Sequence, residues 1–117
     1  MADMQKMLAL VVGAILSLAG VAGYFTGSSL LGFGINTLHN LVHLVTGVLG
    51  VIVGMFTAGS LARNYNRGLG VVYVVVAVLG FVLPALMTQL LNINTADNLL
   101  HLVLGVVLAG VGFGTKD

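Results

Sequence analysis

The sequence predicts an all-α membrane protein with four transmembrane helices in an up-down-up-down bundle. Of its 117 residues, 59% are apolar and only 6% are charged, and the charges are unevenly spaced. No charged residue lies between Lys6 and Arg63 or between Arg67 and Asp97. A stretch of ~20 apolar residues is long enough to cross a bilayer. A soluble domain carries about 25% charged residues, so this composition cannot provide a water-facing surface.

Four apolar segments fit a membrane span, and each is bounded by residues that favour turns. They cover residues 7–26, 37–57, 68–87 and 96–114. Short connections join neighbouring antiparallel helices, which gives the up-down-up-down order. Pro84 lies late in the third segment, where we expect it to kink or end the helix.

The basic residues predict the orientation. Lys6, Arg63, Arg67 and Lys116 all fall on one side of a four-span arrangement, and the opposite connections contain no basic residue. Basic residues favour the cytoplasmic side, so both termini are expected there. The expected location is the bacterial inner (plasma) membrane, or the thylakoid membrane of a cyanobacterium. The alternative is that residues 1–23 form a cleaved signal peptide.

The chain repeats itself, which divides a single transmembrane domain of residues 1–117 into two halves. Residues 35–48 align without gaps on residues 93–106. The matched polar and glycine positions are Asn36 with Asn94, Thr37 with Thr95, Asn40 with Asn98, His43 with His101, and Gly47 with Gly105. Each half, about residues 7–57 and 68–114, is then a helical hairpin. Because each half crosses the membrane twice, the halves form a parallel repeat with a pseudo-twofold axis along the membrane normal.

Polar residues lie on one face of the second and fourth helices. His39 and His43 are spaced i, i+4, and Asp97 and His101 have the same spacing. The same faces continue as small residues, which mark the packed side of a membrane helix. The glycines predicted to pack are Gly47, Gly50, Gly54, Gly105 and Gly112. Ionisable groups inside a span are costly, so the cluster is a candidate functional site on the outward, non-cytoplasmic side.

Three readings of this cluster remain open. His39, His43, Asp97 and His101 can together bind a divalent metal such as zinc, copper, iron or manganese. Alternatively, the cluster is a macrocycle or quinone site, in which His43 or His101 would ligate the iron of haem or the magnesium of chlorophyll. In the third reading the cluster is only a hydrogen-bonded network that holds the hairpins in register. The asparagines expected to cap helices or orient the imidazoles are Asn36, Asn40, Asn94 and Asn98.

The leading functional hypothesis is a non-enzymatic membrane protein that forms oligomers or serves as an accessory subunit of a larger membrane complex. The chain has no cysteine nucleophile, its serines have no nearby base and acid, and its few charges exclude nucleic acid as a partner. The alternative is a metal-, haem- or chlorophyll-binding subunit of an electron-transfer or photosynthetic complex. A small transporter or channel is least favoured, because the first and third helices offer only Ser17, Tyr73 and glycines.

These motifs resemble those of a family of small four-helix bacterial membrane proteins described only as a domain of unknown function. The resemblance is carried by residues 36–43 running into Gly47, by residues 67–73 with 79–81, and by residues 94–101. It covers nearly the whole chain. It implies the four-helix topology and brings no established activity or ligand.

Overall fold

The structure is a computed structural model that describes residues 4–115. Its elements are α1 (Met4–Gly23), β1 (Ser29–Leu30), β2 (Phe33–Gly34), α2 (Thr37–Phe56), α3 (Gly59–Val82), α4 (Pro84–Leu91) and α5 (Thr95–Gly114). Among the described residues, α1, α2, α3 and α5 are long and apolar enough to cross a membrane. The prediction of a helical chain with four membrane-spanning lengths is confirmed. Lys116, which entered the orientation argument, lies outside the described residues.

The third helix begins at Gly59 and not at residue 68, so the predicted connection over residues 58–67 is wrong. The sequence predicts a connection here because the composition of these residues favours turns. In the structure Asn66 is fully buried and donates from Nδ2 to the backbone oxygen of Gln5 at 2.9 Å and to Gln5 Oε1 at 2.8 Å. Buried positions recur every three or four residues from Ala62 onward, so one packed helical face runs through the polar segment.

Proline divides the end of the predicted third span into two helices. Leu83 has φ −124° and ψ 60°, outside the helical region, and Pro84 is the first residue of α4. A proline lacks the amide hydrogen, so the first turn of a helix is the position that tolerates it. α4 occupies much of the predicted connection between spans and ends at Asn92, whose left-handed backbone (φ 53°) turns the chain toward α5.

The connection between α1 and α2 holds a short antiparallel β-hairpin, whereas the sequence indicates only residues that favour turns. Ser29 pairs with Gly34, and Leu30 pairs with Phe33. The two turn residues, Leu31 and Gly32, both have positive φ angles of 54° and 86°. Glycine adopts this region freely, whereas a leucine there costs roughly 1–2 kcal/mol.

Helix packing brings backbones into direct contact, α1 along α2 and α3 along α5. A methyl group on Gly13 would lie 2.5 Å from the backbone nitrogen of Val51. A methyl group on Gly70 would lie 2.5 Å from the backbone nitrogen of Ala109. All five glycines singled out from the sequence are buried. Four have their nearest partner across one of these two contacts: Ser17 for Gly47, Leu10 for Gly54, Val74 for Gly105 and Arg67 for Gly112. Gly50 lies against the backbone oxygen of Ala9 on α1 and also against the hydroxyl group of Tyr65 on α3.

The two helix pairs are joined by a small apolar core and by one buried amide. The core consists of Val12, Leu16, Tyr73 and Leu108. At the end where α1 begins, Gln5 Nε2 donates to the backbone oxygen of Val111 at 2.9 Å and to Thr115 Oγ1 at 2.7 Å. Gln5 therefore links α1 to α3 and α5. Its position before the predicted first span concealed this role.

We predict that Gly13→Ala destabilises the protein, because the added methyl group meets backbone that cannot move aside. The free energy of unfolding should fall by about 1–3 kcal/mol. Gly110→Ala is the matched control, since nothing lies within 4 Å of its added methyl group. Unfolding of both variants in detergent micelles, followed by circular dichroism, measures the difference. Equal stability of the two variants would contradict the close helix contact.

Candidate metal centre

Three histidines, two from α2 and one from α5, converge in the structure. His39 and His43 lie one turn apart on α2, and His101 reaches them from α5. One ring nitrogen from each histidine lies within 4.8 Å of the other two. The ring centroids of His39 and His43 are 4.4 Å apart, and that of His101 lies 5.8 Å and 6.4 Å from them. Within residues 4–115 this is the one such group of possible metal ligands.

A backbone carbonyl fixes the tautomer of His39. Its Nδ1 lies 2.9 Å from the backbone oxygen of Leu91, at the end of α4. A carbonyl oxygen only accepts hydrogen bonds, so Nδ1 carries the hydrogen and Nε2 carries a lone pair. His39 is 3% exposed, and its Nε2 has no hydrogen-bond partner. The side chain therefore presents an unused lone pair in a buried position.

The ring of His101 is held by stacking. It lies nearly parallel to the ring of Tyr73, with centroids 5.1 Å apart and an angle of 15° between the planes. His101 is 3% exposed, and its Nδ1 also lacks a hydrogen-bond partner. A buried polar atom without a partner costs about 1–3 kcal/mol. Two such nitrogens in one cluster indicate a site where a bound ligand could supply the missing partners.

Asp97 is not a member of the three-histidine group. Its Oδ2 accepts from the backbone N–H of Asn94 at 2.9 Å, while its own N–H donates to Asn94 Oδ1 at 2.9 Å. This capping box begins α5 and uses the carboxylate that the sequence suggested as a metal ligand. The charge of Asp97 still lies near enough to interact with His39. Asp97 is also the only acidic residue within the described part of the chain.

The sequence suggests that asparagines orient the imidazoles, but in the structure Asn40 and Asn98 do not hydrogen bond to them. No hydrogen bond joins Asn40 or Asn98 to a histidine in the part of the chain that the structure describes. Both side chains are buried against glycines, Asn40 against Gly23 and Asn98 against Gly80. The imidazoles are oriented instead by a backbone carbonyl and by an aromatic ring, neither of which sequence reasoning identified.

Three asparagines connect the two segments that cover the histidine cluster, residues 28–36 and residues 90–94. Asn36 Nδ2 donates to the backbone oxygen of Leu90 at 3.0 Å, and Asn94 Nδ2 donates to that of Gly32 at 3.0 Å. Asn92 Nδ2 donates to the backbone oxygens of Ser28 and Ile35, at 3.0 and 2.8 Å. Asn36 also caps α2, since its Oδ1 accepts from the N–H of His39 at 2.8 Å.

Sequence reasoning missed Asn92, Leu91 and Tyr73. The signal for Asn92 was an asparagine directly after an apolar run, a residue that tolerates the left-handed backbone ending a helix. The signal for Tyr73 was its place on the small-residue face with Gly70 and Ala77. Nothing in the identity of Leu91 indicated its role, because only its backbone carbonyl bonds to His39.

We predict that His39 is the Nδ1–H tautomer and that its Nε2 is neither protonated nor hydrogen bonded in the metal-free protein. Two-bond ¹H–¹⁵N correlation spectra of ¹⁵N-histidine-labelled protein in micelles distinguish the two tautomers. The spectrum should show the Nε2 shift of a nitrogen with a free lone pair. A protonated Nε2 would contradict the bond to Leu91.

Comparison with known proteins gives a family and no further relatives. The model of the family described as Domain of unknown function (DUF4383) matches residues 6–114. No curated protein and no solved structure shows significant similarity to the chain. The matched segment includes all four long helices and the three histidines, which agrees with the resemblance noted from the sequence motifs. The chain belongs to the DUF4383 family.

Proposed function

We propose that this chain is a four-span membrane protein that binds one transition-metal ion through His39, His43 and His101. The observation that carries the proposal is the convergence of three ring nitrogens within 4.8 Å, in a cluster with two buried nitrogens that lack partners. Imidazole is a common ligand of zinc and copper. The ion would replace the hydrogen bonds that these nitrogens do not make.

The spacing suits a single ion. Ligand nitrogens at 2.0–2.1 Å from a tetrahedral zinc are about 3.3 Å from one another. The nitrogens here are at most 4.8 Å apart, so small side-chain rotations bring them to bonding distance. Three protein ligands leave the fourth position of the ion open, which is the arrangement of zinc sites that interact with exogenous ligands.

The distribution of charge supports a bound cation. The basic residues Lys6 and Arg67 lie beside Gly54 and Gly112, toward the ends of α2 and α5 that are far from the histidines. The acid Asp97 lies at the histidine end. A buried cation requires compensating negative charge, and Asp97 supplies it without being a ligand.

The geometry supports a metal ion over the other readings of the sequence. In the described residues the histidines make no hydrogen bonds with one another, so a purely structural network has little to hold it together. Haem or chlorophyll would use one of these histidines as an axial ligand and leave the other two ring nitrogens without a shared partner, whereas one metal ion can use all three. The proposal keeps the non-enzymatic role expected from the sequence, in which no nucleophile is paired with a base.

We further infer the membrane arrangement from the packing. Gly13 meets Val51 just as Gly70 meets Ala109, so corresponding close contacts recur in the two halves of the chain. This supports a parallel repeat of two hairpins in an up-down-up-down bundle, with the histidines toward the outer side and both termini in the cytoplasm. The inner (plasma) membrane or a thylakoid, and assembly with other subunits or a second copy, remain predictions.

We predict that protein stripped with a chelator binds one zinc ion per chain, measured by equilibrium dialysis and elemental analysis. His43→Phe and His101→Phe keep an aromatic ring but remove the ligand nitrogens. Mutation of a residue that hydrogen bonds to a metal ligand typically lowers the metal affinity 10–100-fold. Loss of a ligand itself should therefore lower the zinc affinity at least about 100-fold. Asp97→Asn removes only the compensating charge and should weaken binding by about tenfold.

Tyr73→Phe is the matched control for zinc binding, because it keeps the ring stacked on His101 and removes no proposed ligand. Its affinity should equal that of the unmodified protein. Absence of zinc binding in the unmodified protein, or unchanged binding in both histidine variants, would reject the metal centre and favour a structural cluster.

We predict that Ser28→Cys and Ser60→Cys are labelled from opposite sides of the membrane. The chain has no native cysteine, and both serines are exposed. In intact cells a membrane-impermeant maleimide should label Ser28→Cys, whereas Ser60→Cys should react only after permeabilisation. Labelling of Ser60→Cys alone in intact cells would reverse the orientation, and labelling of both would reject it.

A further inference from the structure

A cavity of about 330 Å³ lies beside the histidine cluster. Its walls are mostly apolar and come from α1, the β-hairpin and α5, including Leu16, Phe33 and Leu104. His43 and His101 form part of the same wall, so the cavity reaches two of the three histidines. The space next to the proposed ion is therefore closed mainly by hydrocarbon.

The mouth of the cavity is formed by exposed apolar residues. Ile15 on α1 is 59% exposed, and Leu31 at the tip of the hairpin is 90% exposed. In the proposed membrane arrangement Ile15, within the α1 span, contacts lipid, and Leu31 lies in the outward connection that follows that span. Leu31 occupies a left-handed turn position that asparagine or glycine fills at lower cost. An apolar side chain is kept there in spite of that cost, which fits an entrance from the bilayer.

The polar residues that line the cavity are Asp97, His43, His101 and Tyr73. In the proposed function the two histidines hold the ion, so Asp97 and Tyr73 remain to interact with a polar group of a bound molecule. An apolar pocket with a few convergent polar groups binds a mostly apolar molecule by one polar end. Here that end should carry a hydroxyl group, which donates to acceptors and whose oxygen can ligate a metal.

We infer that the cavity binds a lipid-soluble, single-ring molecule with a hydroxyl group, a substituted phenol or quinol, whose oxygen takes the fourth position at the metal. The inference rests on the proposed function, because the open position exists only at an ion held by three histidines. An apolar cavity of about 150 Å³ is enough to bind benzene. The larger volume here accommodates a ring with short substituents.

The test uses full-length protein loaded with Co²⁺, whose visible absorption reports the ligands of the ion. Titration with 4-propylphenol should change the cobalt spectrum and saturate at one equivalent per chain. Propylbenzene has the same ring and chain without the hydroxyl group, and should leave the spectrum unchanged.

Two neighbouring positions on α1 separate binding in the cavity from partition into detergent. Ala19→Phe places a ring in the cavity and should weaken the phenol response at least about tenfold. Leu18→Phe is the matched control, because Leu18 is 71% exposed and does not line the cavity; its response should be unchanged. Leu104→Phe is a second filling variant, used if Ala19→Phe fails to bind cobalt.

The outcomes distinguish the two proposals. Absence of a cobalt spectrum in the unmodified protein rejects the metal centre. A cobalt spectrum that does not respond to 4-propylphenol, or responds equally in the cavity-filling variant that binds cobalt, overturns the cavity inference and leaves the metal centre intact. An equal response to propylbenzene also overturns it.

Discussion

Direct backbone contact between helices is the constraint on which the rest of this structure depends. α1 and α2, and likewise α3 and α5, approach so closely that no side chain fits between them at Gly13 and Gly70. Lipid offers no hydrophobic drive for helices to associate, so close packing of small residues holds them together. Gly47 and Gly105 lie one turn beyond His43 and His101. The glycine contacts thereby set the depth at which the two histidines face each other.

The two ends of the molecule use their buried polar groups differently. At one end, the amide of Gln5 donates to Val111 and Thr115 and accepts from Asn66, so its bonding capacity is used. At the other end, ring nitrogens of His39 and His101 lack hydrogen-bond partners in an equally buried setting. Asn66 Oδ1 at the first end also lacks a partner, so an unpaired buried atom alone does not indicate a binding site. The two histidines differ because they belong to a group of three whose ring nitrogens converge within 4.8 Å, which is what a single ligand requires.

Much of the fold was predictable from the sequence, because the length of each apolar segment sets a span and the spacing of glycines sets its packed face. The start of α3 was not predictable. The polar residues 58–67 conceal a buried helical face that includes Asn66. For the site, the i, i+4 spacing identified His39 and His43, and the repeat pointed to His101. Asp97 does not join the three histidines because its carboxylate takes part in the capping box at the start of α5, and this geometry is not evident from the sequence. The contribution of Leu91 comes from a backbone carbonyl, which leaves no trace in residue identity.

The asparagine hydrogen bonds between the two covering segments have a consequence for the order in which the parts of the site come together during synthesis. Asn36 bonds to Leu90, Asn92 bonds to Ser28 and Ile35, and Asn94 bonds to Gly32. Each link joins an early part of the chain to a late one, as does the bond from His39 to Leu91. During synthesis the first helical hairpin therefore enters the membrane before its histidines have their third partner or their cover. The three-histidine cluster is completed only when the last helix has been inserted, so the proposed metal ion would bind only after that step.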